Sequence, residues 1–227
     1  MRIATYNIHR SVGNDGKEEP ERILSVLNEL NADIIALQEV GYASGEPGNL
    51  LDFLGKSTQS QVIEGITLKD ERGHYGNAIL SRFPVNLIKL HNISIPSREP
   101  RGAIELRLEL EDKTIQIIAT HLGLRPGERN IQVDKLMPLF DTSSADIKIL
   151  MGDLNEWFLW GRPLRKLQRT FGSMPALATF PSRWPLFALD RIWIRPLSAI
   201  DCLRVLKSTN TKSASDHLPL FAQLNLD

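Results

Sequence analysis

"IKILMGDLNEW" (Ile147–Trp157) is an apolar run that stops on an acid. Ile147, Ile149, Leu150 and Met151 read as a short strand buried on both faces. Gly152 breaks the run, and Asp153 and Asn155 follow at once. Alone this is an ordinary turn, because Gly, Asp and Asn all favour turns. It gains meaning by repetition. "RIATYNIH" (residues 2–9) puts Asn7 at the end of a strand, and "DIIALQEV" (33–40) delivers Glu39 after its apolar run. "IQIIATHLG" (115–123) delivers His121, and "PLFALDRIW" (185–193) sets Asp190 between two apolar segments. "SASDHLPLF" (213–221) presents Asp216 and His217 just before a last strand. Strand ends that each carry a carboxylate, imidazole or carboxamide imply one shared cleft where they converge.

The rest of the chain supplies the scaffold. "AIELRLEL" (103–110) alternates, with Ile104, Leu106, Leu108 and Leu110 on one face and Glu105, Arg107 and Glu109 on the other. That is a half-buried antiparallel strand. "EEPERILSVLNEL" (18–30) reads as a helix, with Pro20 in its first turn and Ile23, Leu27 and Leu30 on one stripe. "GERNIQVDKLMPLF" (127–140) reads as a second, with Ile131, Leu136, Leu139 and Phe140 turned inward. Alternating strands, fully apolar strands and intervening helices predict an α/β fold with mixed sheets covered by helices. No repeat or linker interrupts the pattern, so a single catalytic domain is expected over residues 1–227.

Composition narrows the function. Lys plus Arg and Asp plus Glu both number 27, so the formal net charge is zero. That argues against binding nucleic acid chiefly through a basic surface. Cys202 is the only cysteine, which excludes an intrachain disulfide and fits a reducing compartment. The first residues lack a signal-peptide pattern, and no apolar run approaches the roughly 18 residues of a span. The expectation is a cytoplasmic monomer, able to sit peripherally on a membrane.

Asn7, Glu39, Asp153, Asn155, Asp190 and Asp216 form a set of hard oxygen donors, which suits Mg2+ or Mn2+. Two histidines beside them can manage protons. Metal, base and phosphate-facing donors together are the equipment of phosphoester hydrolysis.

The ordered set "TYNIH", "LQEV", "GNAILSR", "RGAIEL", "THLG", "GDLNEW", "TFPS", "LDRIW" and "SDHLPL" resembles the endonuclease/exonuclease/phosphatase superfamily, from Thr5 to Leu220. The resemblance implies a four-layer sandwich: two mixed sheets face to face, helices outside, and a divalent-metal site at one edge. It makes Glu39 the main metal carboxylate, with Asn7 and Asp216 near or in the metal shell. Asp153 corresponds to the residue that positions or deprotonates the attacking water, and Asn155 to the amide holding water or a phosphate oxygen. His217 corresponds to the imidazole on the scissile phosphate, Asp190 to the acid orienting it, and His121 to a second phosphate-facing histidine. Arg101 and Asn77 are assigned to substrate binding. His121 in "THLG" is similar to sphingomyelinases, pancreatic-type deoxyribonucleases, inositol-polyphosphate phosphatases and tyrosyl-DNA phosphodiesterases, rather than to abasic-site endonucleases.

The chain is therefore expected to be a Mg2+- or Mn2+-dependent phosphoesterase, first of all a phosphodiesterase acting on a phospholipid-like or small phosphodiester. A DNA or RNA nuclease of the same superfamily is the alternative, and a non-enzymatic scaffold a third. "EWFLWGRP" (156–163) and "PSRWPLF" (181–187) place Trp157, Phe158, Trp160 and Trp184 close to the candidate site. These rings either floor the site, stack on nucleobases or enter a membrane interface. Arg162, Arg165, Lys166 and Arg169 follow at helical spacing and provide a local basic stripe. A peripheral membrane or nucleic-acid contact is thus expected through Trp157, Trp160, Arg162 and Arg165. His9, His74 and His91 belong to no motif and are read as structural or surface residues.

Overall fold

The computed structural model describes residues 1–42, 49–70 and 73–226. Among these, the first sheet has six strands in the order β10-β11-β1-β2-β4-β3. They are β1 (Arg2–Asn7), β2 (Ile34–Tyr42), β3 (Gln61–Asp70), β4 (Gly73–Ser81), β10 (Ile200–Val205) and β11 (Leu220–Leu224). The second sheet has five strands in the order β5-β6-β7-β8-β9. They are β5 (Leu87–Asn92), β6 (Gly102–Leu110), β7 (Lys113–His121), β8 (Ile147–Asp153) and β9 (Asp190–Arg195). Each sheet contains one parallel pair, β1 with β2 and β7 with β8, among antiparallel neighbours. Both sheets are therefore mixed.

Three apolar layers hold four layers of structure together. Ile3, Ile34, Ala36 and Ile79 of the first sheet meet Ile104, Leu106, Ile117, Ile149 and Ile192 of the second in a central core. Outside the first sheet, Ala4, Tyr6, Ile35 and Leu37 pack on α1 (Pro20–Leu30), α2 (Leu50–Thr58) and α5 (Thr209–Ala214). Outside the second, Ile118, Leu150 and Trp193 pack on α3 (Pro126–Asp141) and α4 (Arg162–Phe171). Each buried Ile or Leu side chain contributes roughly 1.5–3 kcal/mol relative to exposure. Burial on both faces explains the apolar runs inside β2, β7 and β8, such as Ile34–Leu37, Ile117–Ala119 and Ile149–Met151.

One predicted helix face is corrected. α3 buries Arg129, Gln132, Val133, Leu136 and Phe140, while Ile131 is exposed and Leu139 only half-buried. The stripe rotates because two polar side chains find partners inside. Arg129 Nε donates to Glu156 Oε2 at 3.0 Å, and Gln132 Oε1 accepts from the Gly123 amide at 2.7 Å. Among the described residues, no helix is long and apolar enough to cross a membrane.

Candidate active site

The period of two in a strand decides which side chains reach the gap between the sheets. In β1, Ile3 faces the central core and Ala4 and Tyr6 face the helices, so Asn7 continues the Ile3 row. In β7, Ile115, Ile117 and Ala119 face the core, and His121 is next on that row. In β8 the row Ile147, Ile149, Met151 leads to Asp153, and in β9 Ile194 and Ile192 lead back to Asp190. Polar residues thus replace the apolar row at one edge of the sandwich. His121, Asp153 and Asp190 are also direct cross-strand partners in the second sheet.

Glu39 breaks this rule, and the backbone compensates. Ile35, Leu37 and Val40 all face the helices, so a regular strand would turn Glu39 outward with them. The register between β2 and β4 instead shifts between Leu37 and Val40, and Glu39 takes φ +56°. This bulge inserts one residue and re-aims the carboxylate towards the gap. Such strain in a non-glycine residue is typical of positions held for function.

Gly152 is needed for a different reason. Its φ is +144°, and a Cβ there would lie 1.8 Å from the Thr120 carbonyl oxygen. Gly152→Ala is expected to cost about 2–4 kcal/mol through strain and overlap with β7 backbone. The midpoint of denaturant unfolding measures it, and an unshifted midpoint would refute the packing argument.

Asn7 bridges the two sheets. Its Nδ2 donates to Glu39 Oε1 at 2.9 Å and to Asp153 Oδ2 at 3.0 Å, while its Oδ1 accepts from the His9 amide at 3.0 Å. Asp153 Oδ1 accepts from the Asn155 amide at 2.9 Å. The imidazoles of His121 and His217 stand 3.6 Å and 3.8 Å from Asp153 Oδ2. Asp153 is itself buried, so it is the hub on which both sheets and both histidines converge.

The two histidines are tuned in opposite directions. His217 Nδ1–H donates to Asp190 Oδ2 at 2.8 Å, and Thr179 Oγ1–H donates to the same oxygen at 2.6 Å. Burial opposes a positive charge on His217, but the carboxylates of Asp190, Asp153 and Asp216 outweigh it and push the imidazole up to about 10. His121 is pushed down to about 3, by burial above all and by the Arg101 cation, against the pull of Asp153. It faces Arg101 Nη1 at 3.2 Å and Asn155 Nδ2 at 2.9 Å, and two N–H donors favour a neutral ring.

Asp190→Asn is expected to lower the titration midpoint of His217 in the metal-free chain, as followed by NMR. Because the folded value lies above the ordinary 6.5, the charged pair stabilises fully below 6.5 and the gain fades as pH rises through about 10. The substitution should therefore destabilise most in mildly acidic solution and least in alkali. A uniform loss at every pH would contradict this.

Asn7, Glu39, His121, Asp153, Asn155, Asp190 and His217 are brought together. Two groups have ligand atoms within 4.8 Å of one another, Glu39 with His121 and Asp153, and Asp153 with Asp190 and His217. Asp216 belongs to neither group; its Oδ1 lies 3.8 Å from His9 Nδ1 and 3.4 Å from Ser215 Oγ. Arg101 touches His121 and Glu99, and beyond it opens a cavity of about 390 Å³ lined in part by Thr67, His91 and Gly102. Asn77 is buried in β4, with Nδ2 donating to the Gly102 carbonyl at 3.4 Å.

Sequence reasoning missed several contributors. His9, read as structural or surface, lies at the rim with Asn7 and Asp216 because His9, Arg10 and Ser11 all take positive φ. Thr179 holds Asp190, and Ser215 Oγ–H donates to the Asn7 carbonyl at 2.8 Å. Thr179 lies in "TFPS", so that segment carried a signal without a role. His91 is structural as read, paired with Glu105 at 2.8 Å.

A model of the Endonuclease/Exonuclease/phosphatase family matches residues 4–217. The uncharacterized protein YbhP of Escherichia coli is 28% identical over 246 aligned residues, covering 100% of this chain and 96% of its own. Two solved structures share the fold. Danio rerio TDP2 complexed with a single-strand DNA product aligns with a TM-score of 0.74 at 16% identity, over 99% of this chain and 98% of its own. A mannosyl-6-phosphatase of Bacteroides thetaiotaomicron aligns with a TM-score of 0.74 at 17% identity, over 100% of both chains.

Proposed function

The chain belongs to the endonuclease/exonuclease/phosphatase family, and from that premise we propose that it is a divalent-metal-dependent phosphodiesterase. One observation carries this reading: a buried carboxylate, Asp153, is shared by two acid–imidazole groups at the edge where the two sheets meet. The donors fit a hard divalent cation. Glu39 and Asp153 offer oxygen, His121 offers nitrogen, and all three lie within 4.8 Å of one another. Glu39 would hold Mg2+ or Mn2+, with Asn7 fixing its carboxylate beside that of Asp153. When bound, such an ion supplies Lewis-acid stabilisation of charge on phosphate oxygens.

The remaining steps belong to the side chains. Asp153 orients the attacking water and accepts its proton as the new P–O bond forms and the P–O bond to the leaving group breaks, the departing oxygen taking a proton from solvent. His217, held charged by Asp190, donates Nε2–H to the phosphate as negative charge builds there. Asn155 and neutral His121 complete the cradle. Arg101 provides a fixed positive charge behind His121. We take the substrate to be a diester rather than a monoester because a cavity beside the histidines could receive the second substituent. Arg101, in contact with His121, lines the cavity of about 390 Å³, while Phe180 packs 4.9 Å from the His217 ring and touches Trp157 of an exposed apolar rim.

The named activities of the structural neighbours differ from each other, so the substrate is a matter for assay. Hydrolysis of bis-p-nitrophenyl phosphate should be lost in EDTA and restored by Mg2+ or Mn2+. It should exceed that of p-nitrophenyl phosphate. Turnover that persists in EDTA overturns the metal reading, and a monoester preference overturns the diester reading. The nuclease alternative keeps the same chemistry, and exposed tryptophans are suited to stacking on bases. Cleavage of single-stranded DNA faster than of any lipid or small diester would select it.

A further inference from the structure

We propose that the rim carrying Trp160, Trp184 and Leu186, together with Arg162 and Arg165, docks the protein on an anionic phospholipid bilayer. The proposal depends on the phosphodiesterase reading only where it makes a lipid phosphodiester the substrate; the docking itself stands apart from catalysis.

Two segments build this rim. The first follows directly from Asn155. Glu156 is buried and paired with Arg129 at 3.0 Å, and its other oxygen accepts from the Phe158 amide at 3.2 Å. Arg129 also donates to the Leu124 carbonyl at 2.6 Å. Gly161 packs so tightly on this carboxylate that a Cβ would lie 2.5 Å from it. A buried ion pair is costly to break, so residues 157–161 are held in one arrangement. The second segment, 180–187, closes on itself through paired backbone hydrogen bonds between Phe180 and Phe187. Ser182 ties it to the catalytic strand end, donating from its amide to Asp216 O and from Oγ to Ser215 O, each at 2.7 Å. Trp157 joins the segments, with its ring 4.8 Å from Phe187 and 5.8 Å from Phe180.

What these anchored segments present is apolar and exposed. Trp160 is 70% exposed, Trp184 80% and Leu186 74%, and Leu159 and Phe158 stand beside them. A group of large apolar side chains held outward by a buried ion pair marks a contact surface. One feature favours a lipid surface over nucleic acid. Leu159 and Leu186 cannot stack on bases, whereas Trp with Leu is the composition of an interfacial anchor. Arg162, Arg165 and Arg169 of α4 and Arg183 of the second segment are all exposed and offer positive charge to an anionic headgroup layer. A groove of about 410 Å³ between Phe158, Trp160, Arg162 and Arg165 brings rings and guanidinium groups together. Arginines at the headgroup level beside buried rings match an anionic membrane. Because Phe180 connects the rim to His217, docking would set the site over headgroup phosphodiesters.

The test is sedimentation of the full chain with vesicles of phosphatidylcholine alone, or with about 30% phosphatidylglycerol, read also by tryptophan fluorescence. Binding should be at least tenfold tighter to the anionic vesicles and weaken in high salt. Each arginine near such a surface is worth roughly fivefold, so R162Q with R165Q should lose about 25-fold. W160A with W184A should lose at least tenfold, while D153N binds like the unaltered chain. A cooperative thermal transition confirms that each variant is folded. Equal affinity for neutral and anionic vesicles overturns the proposal, as does binding that ignores both double variants. Tighter capture of single-stranded DNA, lost in the same variants, overturns it in favour of a nucleic-acid face. None of these results bears on whether EDTA stops hydrolysis, so the docking and the chemistry can fail separately.

Discussion

A chain ended at Ala214 is expected not to fold. The segment removed looks like a tail, but β11 lies inside the first sheet, hydrogen-bonded to β10 on one side and β1 on the other. Leu220, Ala222 and Leu224 fill the central core between the sheets. Losing the two leucines alone forfeits roughly 3–6 kcal/mol of burial, against a typical total stability of about 5–15 kcal/mol. Both ladders are lost as well, exposing the edges of β1 and β10. The same cut removes Ser215, which ties Asn7, and His217, which ties Asp190. The truncated chain should show no cooperative thermal transition and should aggregate. A clean two-state transition in circular dichroism would sink the argument. Leu220→Ala, a milder perturbation, should cost about 2–5 kcal/mol while leaving the transition cooperative.

That dependence on a terminal strand also shows what the sequence made readable. Strand periodicity leads from Ile3 to Asn7, from Ile117 to His121 and from Ile149 to Asp153, so the convergence of these side chains follows from sequence and a two-residue repeat. Glu39 does not follow that way, because regular alternation from Ile35 and Leu37 points it into the helices. Only the bulge with φ +56° reverses it, and nothing in "LQEV" announces a bulge. The strand-end pattern marks Glu39 as a candidate and the family resemblance makes it the main metal carboxylate, but neither foretells the bulge that aims it. In α3 the helix with buried Leu136 and Phe140 is legible, but Ile131 and Leu139 are not inward, for a related reason. Its helical period was read from apolar residues, while the face actually buried includes Arg129 and Gln132, whose partners Glu156 and Gly123 are remote in sequence. Polar side chains follow their partners, and partners are a property of the fold. His9 was missed because its place depends on three consecutive left-handed residues rather than on any motif. The aromatic segments left three readings open. The structure puts Phe180 against His217 and leaves Trp160 and Trp184 exposed, so the rings are not simply the floor of the site.

The largest catalytic effect is expected at Asp153. Asp153→Asn keeps the shape and the acceptor for the Asn155 amide, and its NH2 then faces Asn7 Nδ2, which is left with Glu39 as acceptor; the fold should survive, but the charge and the proton acceptor are lost. Hydrolysis should fall on the order of 10³-fold, within the range for loss of general-base catalysis. Asp153→Ala is a poorer probe, because it strips buried Asn7 and Asn155 of a partner and adds a stability cost of about 1–3 kcal/mol for each stranded donor. His217→Ala removes a charged donor and should cost about 10²–10³-fold. The informative variant is D153N combined with H217A. Independent contributions would multiply to about 10⁵–10⁶-fold, but residues that act as a unit fall well short of the product. His217 Nε2 lies 3.8 Å from Asp153 Oδ2, and the Asp153 charge helps keep that imidazole protonated. Losing Asp153 should therefore weaken His217 as a donor before His217 is itself removed. The double variant should stay within about tenfold of D153N. A full multiplicative loss in steady-state rates would mean that the two groups serve separate steps. A loss of less than tenfold in D153N alone would move the base to another residue and leave Asp153 as the group that holds the two sheets together.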